Sequence, residues 1–162
     1  MCKYYRIITC FVKVSSIAYT QLMRLNHIAF RVRNIEKMMA FYCEQLGFTK
    51  AFDILNDDGT LRIVYIHISD GQYLELCLNG AKRPDFDDQT DMGVRHICFT
   101  VADIQATRAD LLSKGVVFDS EVLHMRDENL AMYLFDPEKN KIEIVQTGKN
   151  SPQFKFEEKL GV

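Results

Sequence analysis

Apolar and polar residues alternate strictly in two stretches of the chain. In Asn26-His27-Ile28-Ala29-Phe30-Arg31-Val32 the odd positions His27, Ala29 and Arg31 lie on one side of an extended chain, and Ile28, Phe30 and Val32 on the other. The run Arg95-His96-Ile97-Cys98-Phe99-Thr100-Val101 repeats this arrangement, with His, Ile, Phe and Val at matching places. A helical pattern follows each stretch. Asn34 is the expected N-cap of the first, with Met38, Met39, Tyr42 and Leu46 on one stripe, and Asp103 caps the second ahead of Ile104, Leu111 and Leu112. Gly47 and Gly115 stand where helices commonly end.

Strands are predicted next in both halves. In the first, Leu61 to Ser69 and Gln72 to Leu78 flank Asp70-Gly71, a two-residue hairpin signal. In the second, Leu130 to Phe135 and Lys141 to Gln146 flank the turn cluster from Asp136 to Asn140. Lys50 to Ile54 and Val116 to Phe118 are the expected shorter strands. Each half thus reads strand, helix and three strands, an internal repeat that predicts an α+β fold of two βαβββ modules. The expected organisation is an extension over 1–24, a module over 25–79, a linker over 80–92, a second module over 93–147 and a tail over 148–162.

Composition narrows the function classes. At 162 residues, 48% apolar and 26% charged, the chain has the balance of a globular protein able to bury a core. The net charge of −2 argues against nucleic acid as a partner, and no apolar run approaches a membrane span. Residues 1–24 hold Lys3, Arg6, Lys13, Arg24 and no acid. A targeting peptide is one reading of that segment, but its apolar run stops at Lys13, so a loosely docked extension outside the fold is expected. Met23, just before the first strand, also allows an over-extended start. Cys2, Cys10, Cys43, Cys77 and Cys98 are odd in number and contain no C-x-x-C pair, which suits reduced thiols in the cytoplasm.

The polar residues inside the strands carry the chemistry. Tyr73-Leu74-Glu75-Leu76 matches Lys141-Ile142-Glu143-Ile144, so each half has a His on its first strand and a Glu on its last. Taken singly, each Glu fits the outer face of a one-sided sheet. Taken together, two His/Glu pairs from a repeat suggest two sheets meeting about a pseudo-two-fold axis, with an N₂O₂ donor set suited to a divalent ion. His67 reads as structural, and His124 as a loop residue near the cleft.

Residues 25–147 resemble the vicinal oxygen chelate superfamily, also called the glyoxalase/bleomycin-resistance/dioxygenase superfamily. The resemblance rests on the doubled βαβββ pattern, on His-Ile-x-Phe-x-Val opening each module, on Phe41-Tyr42 followed by Leu46-Gly47-Phe48, and on Asp136-Pro137 leading to Ile142-Glu143. It implies two modules paired into a U-shaped metal-binding cleft, within one chain or across a homodimer. The pattern is most similar to bacterial-type glyoxalase I (lactoylglutathione lyase). That resemblance implies His27, Glu75, His96 and Glu143 as ligands of one divalent ion, Ni or Zn before Co, Mn or Fe. It also implies Arg31, Asn79 and, more loosely, Arg126 as contacts to glutathione as co-substrate. The implied reaction turns the methylglyoxal–glutathione hemithioacetal into S-lactoylglutathione, with Glu143 or Glu75 as base and Glu143 favoured.

Two departures stand out. Lys139 occupies a place where the resembled enzymes usually carry Gly, and the 80–92 linker matches nothing diagnostic. The competing expectations are an epimerase, a thiol transferase or a dioxygenase of the same superfamily, or a non-enzymatic drug-binding protein. The complete His/Glu set disfavours each of these.

Overall fold

The computed structural model describes residues 23–81, 90 and 92–161. The expectations for residues 1–22, and most of those for the 80–92 linker, lie outside the described residues. The described part has two four-stranded mixed sheets and few helices. The first sheet is built from β1 (His27–Arg31), β2 (Thr49–Leu55), β3 (Leu61–Ser69) and β4 (Gln72–Cys77) in the order β1-β4-β3-β2. The second uses β5 (Ile97–Thr100), β6 (Leu123–His124), β7 (Leu130–Phe135) and β8 (Lys141–Gln146) in the equivalent order β5-β8-β7-β6. In each sheet the first strand runs parallel to the last, which requires a crossover, and a helix supplies it.

The helix signals act as expected. The Asn34 side chain accepts the Lys37 N–H at 2.9 Å and starts α1 (Ile35–Met39), which continues as a π-helical stretch, Ala40–Gln45. The Asp103 carboxylate accepts the Gln105 and Ala106 N–H groups and starts α2 (Ile104–Ser113). The Asp70-Gly71 hairpin has both residues at positive φ, +28° and +73°, as a tight turn of this hand needs.

The inner rows of both sheets feed one core. Val32, Met38, Tyr42, Val64, Ile66, Leu74 and Leu76 meet Ile97, Ile104, Leu111, Met132, Leu134 and Ile142, with Phe48 edge-on to Phe99 at 5.1 Å. Polar ties cross the same seam. The buried Tyr42 hydroxyl donates to Asp136 Oδ2 at 2.9 Å, and Glu138 Oε1 accepts the Arg33 and Asn34 N–H groups. Burial pushes both Tyr42 and Asp136 above their ordinary pKa values.

Two elements differ from the pattern reading. The expected strand Val116 to Phe118 contributes only an isolated bridge, Phe118 to Leu134, and β6 forms later in the chain. Between them the Ser120 hydroxyl accepts the Tyr133 N–H, so a side chain takes the place of a strand carbonyl and the outer strand is interrupted. The tail over 148–162 carries α3 (Pro152–Leu160), started by the buried Ser151 side chain and closed by Gly161 at φ +74°. No helix among the described residues is long and apolar enough to cross a membrane.

Candidate metal-binding half-sites

The row of each sheet that faces away from the core carries the candidate site. In the first sheet the ladder sets Ala29 beside Glu75 and His27 beside Tyr73, so the imidazole reaches diagonally to the carboxylate. His27 Nε2 lies 3.1 Å from Glu75 Oε2. In the second sheet Cys98 is the ladder partner of Glu143, and His96, just before β5, places Nε2 3.0 Å from Glu143 Oε2. The glutamate side chains are 13% and 15% exposed and the histidines 40% and 35%, so the carboxylates sit low under more open imidazoles. Both glutamates do point outward from a one-sided sheet, as the plainer expectation has it, but that outer face is not bare.

A tyrosine stands over each carboxylate. Tyr65 on β3 is the cross-strand partner of Glu75 and donates its hydroxyl to Oε2 at 2.9 Å. Tyr133 on β7 is the partner of Glu143 and donates to Oε1 at 2.8 Å. Burial, reinforced by that bond to a carboxylate, raises the Tyr65 phenol and pushes Tyr133 up to about 12. Both phenols are therefore donors at neutral pH. Sequence reasoning passed over these tyrosines. The signal was present, since each lies ten residues before its glutamate. Thiols complete the surroundings: Cys77 Sγ lies 3.3 Å from Glu75 Oε1, and burial plus the Glu143 charge push Cys98 up to about 12.

The remaining site residues divide between the halves. Arg31, at the end of β1, donates to the Leu78 carbonyl at 3.1 Å, and Asn79 follows in the left-handed region at φ +66°. Arg126 lies between β6 and β7 and lines an open concavity of about 380 Å³ with His124, Asp127, Asn129 and Glu143. His67 packs edge-on against Tyr73, with ring centroids 5.5 Å apart.

Within one chain the four ligand candidates form two pairs. Among the described residues, no three His, Cys, Asp or Glu side chains gather into a group able to hold a metal ion.

The family model for the glyoxalase/bleomycin resistance protein/dioxygenase superfamily matches residues 24–144, across both sheets. The chain belongs to this superfamily. A lactoylglutathione lyase of Schizosaccharomyces pombe is 28% identical over 156 residues, covering 80% of this chain and 49% of that protein. A probable lactoylglutathione lyase of Synechocystis is 31% identical over 130 residues, covering 77% of this chain and 96% of that one. The chain thus spans about half the length of the yeast relatives it matches. A glyoxalase family protein from Enterococcus faecalis has the same fold, with a TM-score of 0.63 at 22% identity over 76% of this chain and 98% of its own.

The donor set of this superfamily member suits a divalent ion. His27 Nδ1 lies 2.8 Å from the Asn26 side-chain oxygen and Nε2 lies 3.1 Å from Glu75 Oε2, so both ring nitrogens face oxygens. Imidazole nitrogen and carboxylate oxygen together match Zn, Ni and similar ions.

Proposed function

We propose that the protein is a metal-dependent lyase of the glyoxalase I type, acting on a small-molecule hemithioacetal of glutathione and methylglyoxal. The observation that carries this reading is the duplicated His/Glu pair, His27 with Glu75 and His96 with Glu143, on the same face of two repeat-related sheets. The names of the relatives support the same class.

The four residues would hold one divalent ion, Ni or Zn first, with one pair from each of two chains. Because a single chain keeps the pairs apart, the reading includes a homodimer in which the first half of one copy meets the second half of the other. The first sheet supports this. Phe52 and Ile54, 46% and 40% exposed, lie on the row that carries Glu75, and an exposed apolar row suits a covered surface. Free thiols at Cys43, Cys77 and Cys98 fit a cytoplasmic enzyme.

The bound ion would supply Lewis-acid stabilisation of negative charge developing on the substrate oxygens. The chain supplies the rest. Glu143 takes the proton from the carbon that bears sulfur and returns it to the neighbouring carbon, while the hydroxyl proton of the first carbon passes to the oxygen of the second, leaving a thioester and a new alcohol with no net change in atoms. Arg31, Asn79 and Arg126 hold the polar ends of the tripeptide. The test is thioester formation from methylglyoxal and glutathione after loading with Ni or Zn. Absence of turnover with either ion would sink the assignment and leave the fold untouched.

A further inference from the structure

Neither the family likeness nor the sequence repeat assigns a task to the two tyrosines beside the half-site glutamates. Tyr65 and Tyr133 occupy the same ladder position, directly opposite Glu75 and Glu143. Each phenol binds the carboxylate, at 2.9 and 2.8 Å, and each ring lies edge-on to the histidine of the same pair, with centroids 6.0 and 6.4 Å apart. One side chain therefore touches both members of a pair, in both halves. Each ring is itself fixed, Tyr65 by stacking on Phe52 at 4.5 Å and Tyr133 by Lys141 Nζ at 5.1 Å over its face.

We propose that Tyr65 and Tyr133 are positioning residues that set the orientation of Glu75 and Glu143 toward the metal. A carboxylate on a flexible side chain can rotate and swap its oxygens. A phenol that claims one lone pair limits that rotation, so less order must be imposed when an ion binds. The two halves differ in how this is done. Tyr133 holds Oε1 while His96 faces Oε2, so the two oxygens of Glu143 face different rings, and the Cys98 thiol also bonds this carboxylate. Tyr65 and His27 meet the same oxygen of Glu75, and its other oxygen is held by Cys77. Tyr133 takes the oxygen of Glu143 that His96 does not face, whereas Tyr65 shares its oxygen with His27, so loss of Tyr133 should cost more than loss of Tyr65.

The inference rests on the reading of both glutamates as metal ligands, and the test separates the two. Zn affinity of the full chain is measured by chelator competition, and Co is used to read the ligand field by absorbance, for wild type, Tyr133→Phe, Tyr65→Phe and Tyr73→Phe. Phe keeps the ring and its packing, and a thermal melt of the metal-free variants checks that the fold is intact. Tyr73 shares the outer row but has no bond to Glu75, so it controls for loss of a hydroxyl. Tyr133→Phe is expected to weaken Zn binding roughly 10–100-fold and to shift the Co spectrum, with a smaller loss for Tyr65→Phe and none for Tyr73→Phe. Unchanged affinity and spectrum in both variants, or an equal loss in Tyr73→Phe, would overturn the positioning role while leaving the metal assignment standing. A wild-type chain that binds neither ion would overturn both.

Discussion

The two halves carry His, Glu and Tyr in matching places and surround them differently. Where the first sheet has Tyr73, two residues before its glutamate, the second has Lys141. Tyr65 is therefore packed among Phe52, Tyr73 and His27, whereas Tyr133 lies under a cation. The outer strands diverge further. The seven residues of β2 pair along β3 and bring Phe52 over Tyr65, but β6 is two residues long and leaves the concavity that Arg126 lines. The connecting turns differ as well. The first half closes with the tight Asp70-Gly71 hairpin. The second closes with a longer turn around buried Asp136, whose carboxylate accepts from Tyr42, Glu138 and Asn140 and so grips the helix of the first half. A repeat can hold its reacting groups fixed while the supports drift, because ladder geometry positions the groups and many packings satisfy the ladder.

The sharpest way to break the comparison is to disable one half at a time. Glu75→Gln and Glu143→Gln should each lower turnover by roughly 10²–10⁴-fold if each completes the same site. Mixing the two variants under subunit exchange should restore activity, because one site of the mixed dimer then has both glutamates. No recovery would mean that each site is built within one chain.

Next in size is the turn that only the second half possesses. Asp136→Ala strands the buried Tyr42 hydroxyl and two backbone N–H groups, and should cost about 1–3 kcal/mol in urea unfolding. A smaller loss would mean that water replaces the carboxylate.

Lys139 in the same turn sits at φ +64°, which accounts for glycine at this place in the resembled enzymes. Lys139→Gly should stabilise by about 0.5–1 kcal/mol, seen as a raised melting temperature.

The smallest effect concerns Glu138. Burial would raise its pKa, but the Asn34 and Arg33 N–H groups and the Arg33 guanidinium outweigh that and lower it. A lowered folded value means stability that is present above the ordinary glutamate range, about 4.3, and lost as pH falls through the depressed value. The stability difference between wild type and Glu138→Gln should therefore be full at neutral pH and vanish in acid. A difference that persists in acid would assign the effect to packing.

Much of this was legible along the chain. Alternation separated His27, Ala29 and Arg31 from Ile28, Phe30 and Val32, and the ladder keeps that division. Asn34, Asp103 and Asp70-Gly71 acted where they stand because caps and tight turns depend on residues a few positions away. Other features were hidden for physical reasons. Tyr65 and Tyr133 looked like ordinary strand tyrosines, since aromatic residues favour strands whatever their hydroxyls do. The break before β6 turns on Ser120 meeting Tyr133 across the sheet, which no local pattern encodes. The α3 helix had its signals, Ser151-Pro152 at the start and Gly161 at the end, but only a thin apolar stripe between them.

By itself the sequence determined the repeat, the strands and helices that compose it, the outward row on which both histidines and both glutamates lie, and the α+β class. Those follow from near-neighbour rules and from duplication. Tertiary structure alone decided which tyrosine stands over which carboxylate, how Asp136 ties the second half to the helix of the first, and that one chain keeps its two His/Glu pairs apart. Each of these depends on register between strands distant along the chain, where a shift of one residue would turn the same side chains to the opposite face.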